Sequence, residues 1–159
     1  MQAISEDELL DEGYTPLNDD YLINRYINLG SGTFGNVYKG YDLRHQRFVA
    51  IKHIPRRNFE GSRESQTREI KVMQKLNHPN IMKFYGYEGG ANSPDGIFMF
   101  LELCEGGTLR DRINRQMTER EAMDLFGQLV EGMAYINEQS TPLPTQPSST
   151  ETSSRTTCC

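Results

Sequence analysis

Cysteine is scarce in this chain: three residues, Cys104, Cys158 and Cys159, in 159 positions. That number and placement exclude a disulfide framework and make a reducing, cytoplasmic setting the expectation. Long apolar runs are missing too, and nothing approaches the roughly 20 residues of a membrane-spanning helix. The first residues show neither a basic flank nor an apolar stretch, so no secretory leader is expected. Basic residues are not clustered, which removes the electrostatic footprint of a nucleic-acid binder. His45, His53 and His78 have no metal-ligand spacing to cysteines or acids, so no metal site is expected.

The net charge of −5 is unevenly distributed. Residues 1–20 hold seven acids (Glu6, Asp7, Glu8, Asp11, Glu12, Asp19 and Asp20) and no base, leaving residues 21–159 at +2. With only the apolar pair Leu9-Leu10 near its start, this stretch reads as an acidic arm, disordered or loosely docked. At the other end, residues 140–159 contain fourteen Ser, Thr or Pro in twenty positions. That composition buries too little to offset ordering entropy, and the segment reads as a disordered tail.

Between them, residues 21–139 alternate strand-like and helix-like patterns. YLINRYINLG, VYKGYD and RFVAIKHI, rich in β-branched and aromatic residues, predict three strands. SRESQTREIKVMQKL follows with Ile70, Met73 and Leu76 at helical spacing and stops at Asn77-His78-Pro79. IMKFYGYE and GIFMFLELC predict a further strand pair across the turn-rich GGANSPDG. A short helix starts at Thr108. A longer one over 118–139 opens with the capping pattern Thr118-x-x-Glu121 and carries an apolar face of Ala122, Leu125, Phe126, Leu129, Val130, Met133 and Ile136. The expected fold is α+β: a five-stranded antiparallel sheet with one helix inserted after the third strand, then two helices.

The most informative stretch is LGSGTFGNVYKG, residues 29–40, with glycines spaced G-x-G-x-x-G. Alone it fits a glycine-rich hairpin, a dinucleotide-binding turn or a loop folded over a nucleotide. The dinucleotide turn requires a helix after the loop, and VYKGYD reads as a strand. Glycines let backbone N–H groups approach phosphate oxygens, and Phe34 at the tip would shield the site. In Val49-Ala50-Ile51-Lys52, a period of two places small Ala50 beside the cation of Lys52. Glu69, seventeen residues on, sits next to the apolar positions of a helix, where a carboxylate needs a partner. Lys52 is the natural one.

On these motifs, residues 21–139 resemble the first half of a eukaryotic protein kinase domain, with a Ser/Thr-directed character suggested by ELCEGGTLRDRI. Gly30, Gly32, Gly35 and Val37 match the family's G-x-G-x-x-G-x-V, residues 49–52 its V-A-I-K strand, Glu69 its helical glutamate, and His78-Pro79-Asn80-Ile81 the turn that follows. The resemblance implies an N-lobe over 21–103, a hinge over 102–107 and the start of a C-lobe over 108–139. It implies an ATP site made by Leu29, Gly30, Ser31, Gly32, Thr33, Phe34, Gly35, Val37, Ala50, Lys52, Glu69, Leu101, Glu102 and Cys104. In that scheme Leu101 is the gatekeeper, Val37 and Ala50 cover the adenine, and the main chain of Glu102 and Cys104 hydrogen-bonds it.

The family's H-R-D-L-x-x-x-N and D-F-G do not occur in these 159 residues. Leu109-Arg110-Asp111 has the wrong spacing to the following Asn114, and Asp95-Gly96 lies in a turn. No catalytic base and no protein ligand for magnesium is therefore identified. The expectation is a truncated kinase domain that holds Mg-ATP weakly and does not transfer phosphate by itself. The alternative is a non-catalytic module that binds a full-length kinase or a chaperone through its helices. The terminal Cys158-Cys159 resembles a double-prenylation signal, and a membrane partner is expected only if those cysteines are lipidated.

Overall fold

A computed structural model describes residues 4–33, 35–56, 68, 70–90 and 93–140. In chain order its elements are α1 (Glu6–Asp11), β1 (Thr15–Pro16), β2 (Tyr21–Gly32), β3 (Gly35–Asp42), β4 (Arg47–Ile54), β5 (Phe84–Gly89), β6 (Ile97–Glu102), α2 (Leu109–Asn114) and α3 (Glu119–Ser140). The six strands form one antiparallel sheet in the order β1-β2-β3-β4-β6-β5. Residues 70–73 are helical and lie on one face of it.

Period-two alternation in the central strands supplies both faces of the sheet with apolar groups. Ala50 and Ile54 of β4 join Ile97, Met99 and Leu101 of β6 on the face that Ile70 and Met73 cover. Val49 and Ile51 join Phe98 and Phe100 on the other, where the Tyr21 ring stacks on Phe100 at 3.8 Å. A strand covered on both faces reads as a continuous apolar run, as IFMFL does here. The Asn18 side chain donates to the Glu88 carboxylate, so the β1–β2 connection meets β5 although these lie towards opposite ends of the strand order. The sheet is thus curled.

Two expectations need correction. The sheet has six strands rather than five, because the two residues of β1 pair with Leu22 and Ile23 of β2. Residues 5–20 are also packed rather than disordered or loosely docked. Leu9 and Tyr14 are buried with Leu22 and Tyr41, with Leu43 and Phe48 against them. Counting acids missed this because α1 keeps Glu6, Asp7, Glu8 and Asp11 in solvent and turns only Leu9 inward. Its start is a capping box: the Glu8 N–H donates to Ser5 Oγ and the Ser5 N–H to the Glu8 carboxylate.

The C-terminal helices are less covered. No residue of α2 is buried, and Met123, Phe126, Leu129 and Met133 of α3 are each more than half exposed. Helix α3 meets the rest of the chain at the 77–81 turn. The Asn77 N–H donates to the Tyr135 hydroxyl at 3.1 Å, the Asn80 amide donates to Glu131 at 2.8 Å, and the His78 and Tyr135 rings lie 5.0 Å apart. Gly132 permits that approach, since a Cβ there would lie 3.3 Å from the Asn80 carbonyl. The expected tail lies almost wholly outside the described residues.

Candidate functional site

The glycine stretch is the tip of the β2–β3 hairpin, with Gly30 opposite Val37 and Gly32 opposite Gly35. The three glycines are there for different reasons. Gly35 has φ +144°, and a Cβ on it would come within 2.0 Å of the His53 carbonyl oxygen, so the fold itself demands glycine. Gly30 and Gly32 are not in the left-handed region, and Cβ atoms on them would meet nothing within 4 Å. Neither conformation nor packing requires glycine at these two positions. They border open space that a side chain would fill, which suits the close approach of a ligand to the backbone.

Under this tip the register aligns the other predicted residues. Val37 of β3 stands opposite Lys52 of β4, and Ala50 of β4 stands opposite Leu101 of β6. Val37, Ala50, Leu101 and Leu103 belong to one apolar cluster, with Ala50 and Leu101 buried and Val37 and Leu103 partly so, and Lys52 on the same strand as Ala50 is half-buried. Leu103 was not predicted as a site residue, although its period-two spacing from Leu101 is visible in the sequence. Lys52 faces Met99 across β6, and its place on the same face as Ala50 and Ile54 agrees with the alternation of the strand. Leu29, Ser31 and Thr33 are exposed along the hairpin tip. Phe34 and Glu69 lie outside the described residues.

The end of β6, where a hinge is expected, is anchored by main-chain and side-chain bonds. The Glu102 N–H donates to the Lys83 carbonyl at 2.8 Å, while the Lys83 N–H donates to the Glu102 carboxylate at 2.9 Å. This reciprocal pair fixes where β6 ends. Cys104, two residues on, is an exposed free thiol, and its N–H makes no hydrogen bond among the described residues. A hollow of about 230 Å³ lined by Leu76, His78, Pro79, Ile81, Lys83 and Glu102 adjoins the hinge. It includes neither the glycine tip nor Lys52, Val37, Ala50 or Leu101.

The superficial R-D…N of α2 has a structural use. Asp111 is the third helical residue of a capping box, accepting from the Thr108 N–H at 2.9 Å and the Thr108 hydroxyl at 2.6 Å. Those bonds, the hydroxyl first, hold its carboxyl below the ordinary range. Among the described residues no three His, Cys, Asp or Glu are grouped to hold a metal ion, and no helix is long and apolar enough to cross a membrane.

Comparison with known proteins agrees with the geometry. The protein kinase domain family matches residues 23–141. The Xenopus tropicalis serine/threonine-protein kinase tousled-like 2 is 34% identical over 147 residues, covering 87% of this chain and 20% of the relative. The yeast MAP kinase kinase kinase SSK2 is 36% identical over 118 residues, covering 69% of this chain and 7% of the relative. Calcium-dependent protein kinase 5 of Plasmodium falciparum is 35% identical over 127 residues, covering 78% and 21% respectively. The chain thus spans about a fifth or less of the length of these curated relatives.

Proposed function

The chain belongs to the protein kinase family, and we propose that it supplies the ATP-binding lobe for phosphoryl transfer to protein serine or threonine. The observation that carries this is the pairing of open space at Gly30 and Gly32 with the apolar cluster of Val37, Ala50 and Leu101, in which Val37 stands opposite Lys52. In this reading the adenine lies against that apolar cluster, and the main chain of Glu102 and Cys104 meets its polar edge. The backbone of residues 30–33 covers the phosphates, and the Lys52 ammonium neutralises part of their charge. When bound, Mg-ATP would supply the phosphoryl group. The chain's own residues bind, orient and shield the nucleotide in a reducing, cytoplasmic setting. The catalytic base and the magnesium-binding carboxylate of the family are not among these 159 residues, so catalysis is not assigned to them.

A thermal-shift titration of residues 1–159 with Mg-ATP, alongside Lys52→Met, tests the reading. The expected result is a rise in Tm equivalent to about 1.4 kcal/mol at tenfold excess over Kd, lost in the variant. A cooperative melt that nucleotide does not move would overturn it. That outcome would leave the second reading, an interaction module for a kinase or chaperone, which the exposed apolar face of α3 favours.

A further inference from the structure

Strand β2 reaches the glycine tip through two irregularities in succession. From Asn24 to Asn28 it advances four residues while β3 advances one, from Lys39 to Tyr38. From Asn28 to Gly30 it advances two while β3 again advances one. The number of residues bulged out decides which of them face Val37 and Gly35, because a one-residue slip turns every side chain to the other face.

An asparagine manages each irregularity. Asn24 Oδ1 accepts the Tyr26 N–H at 3.0 Å, within the first bulge. Asn28 Oδ1 accepts the Gly30 N–H at 2.8 Å, and its Nδ2 donates to Ser31 Oγ at 3.1 Å. Asn24 differs from Asn28 in being 1% exposed and in having its second bond outside the strand. Its Nδ2 donates at 3.0 Å to the carbonyl of Glu12, the C-terminal cap of α1. A buried amide satisfied at both ends holds both partners in place, since losing either leaves a buried polar group unpaired. Alongside it, the Thr15 hydroxyl donates to the Ile23 carbonyl at 3.2 Å, and Leu9 and Tyr14 pack on Leu22.

We infer that Asn24 is a positioning residue through which the segment 5–20 sets the register and stiffness of the glycine tip. The segment precedes residues 23–141, the stretch that the kinase family model matches. With the segment docked, the first bulge is pinned and the tip keeps Gly30 opposite Val37. With it released, the Tyr26 N–H bond loses its anchor and the tip loosens. A partner or modification that lifts residues 5–20 would therefore change the tip without touching it.

Hydrogen exchange on the full chain tests this without nucleotide, comparing wild type, Asn24→Asp and Thr15→Val. Asn24→Asp keeps an acceptor for the Tyr26 N–H but removes the donor to Glu12. Thr15→Val keeps the shape and removes one bond of the segment. The expected result is exchange of amides 29–33 about fivefold faster in Asn24→Asp, with β6 amides unchanged. Thr15→Val moves the same amides by less, and it decides the matter if Asn24→Asp does not fold. Unchanged rates at 29–33 with faster exchange at 12–16 would overturn the inference, as would equal acceleration in β6, the signature of general destabilisation. Adding Mg-ATP extends the test and rests on the nucleotide reading: affinity is expected to fall by a similar factor. Wild type that binds no nucleotide but shows the exchange pattern would end that reading and leave the coupling in force.

Discussion

In β4 and β6 the residues Val49, Ala50, Ile51 and Ile97 to Leu101 are all buried. In α3, Met123, Phe126, Leu129 and Met133 are 54–66% exposed. The two regions are comparably apolar at these positions, and both fall within the stretch that matches the kinase family. What separates them is whether the chain supplies a second layer. The sheet receives Ile70 and Met73 on one face, and on the other it curls so that Tyr21 of β2 and Tyr85 of β5, with Leu17, pack on its own central strands. Among the described residues, Glu131, Gly132 and Tyr135 hold helix α3 to the 77–81 turn, while Met123, Phe126, Leu129 and Met133 remain exposed. Hydrophobicity alone marks a surface as one to be covered, and the covering needs a partner layer.

The contrast is broken most directly in the core. Ile51→Ala, at a fully buried position, is expected to cost about 3 kcal/mol, whereas Met133→Ala on the open face should cost within about 0.5 kcal/mol. Urea melts of the two variants check this, and similar losses in both would mean that α3 is as tightly packed as the sheet.

A smaller effect is expected at Asp42, which is 1% exposed at the end of β3. Burial pushes its carboxyl up, but the His45 N–H and the Arg47 guanidinium outweigh that and leave it below the ordinary value. A carboxyl depressed in the folded state stabilises fully above its unfolded pKa, and that stability is lost as pH falls through the folded pKa. Asp42→Asn is therefore expected to cost about 2 kcal/mol at pH 7 and to flatten the acid limb of the stability–pH curve. Melts from pH 7 to 2.5 read both features, and parallel curves for the two proteins would refute the assignment.

The smallest expected change sharpens the other side of the comparison. Thr118 Oγ accepts the Glu121 N–H at 3.3 Å, and the Thr118 N–H donates to the Glu121 carboxylate at 2.9 Å. With so little tertiary cover, α3 depends on such local terms more than a buried helix does. Thr118→Ala is expected to cost about 1 kcal/mol, seen as reduced helical circular dichroism with the sheet's melting unchanged.

Much of this architecture was legible in residue order. RFVAIKHI occupies β4 over Arg47–Ile54 as predicted, and α3 at Glu119–Ser140 falls one residue from the predicted 118–139. Val37, Ala50 and Leu101 share one apolar cluster. The helix predicted over 62–76 is helical at 70–73, but its earlier part includes residues outside the described set. The predicted strand at Ile81 begins three residues later, at Phe84, where pairing with Leu101 starts. The reciprocal bonds of Lys83 with Glu102 and the paired roles of Asn24 and Asn28 were not legible. Each depends on a partner strand or segment whose approach local pattern does not encode.

By itself, then, the sequence determined the elements and the motif that joins them. Alternation, helical spacing, capping residues and the G-x-G-x-x-G are local properties, set within a few residues by backbone sterics and side-chain chemistry. Only the tertiary structure decided that an acidic arm packs through Leu9 and Tyr14, that Asn24 ties it to the strand carrying the glycines, and that α3 keeps its apolar face open. Those outcomes rest on contacts between residues distant in the chain, where burial and hydrogen-bond satisfaction outweigh local composition.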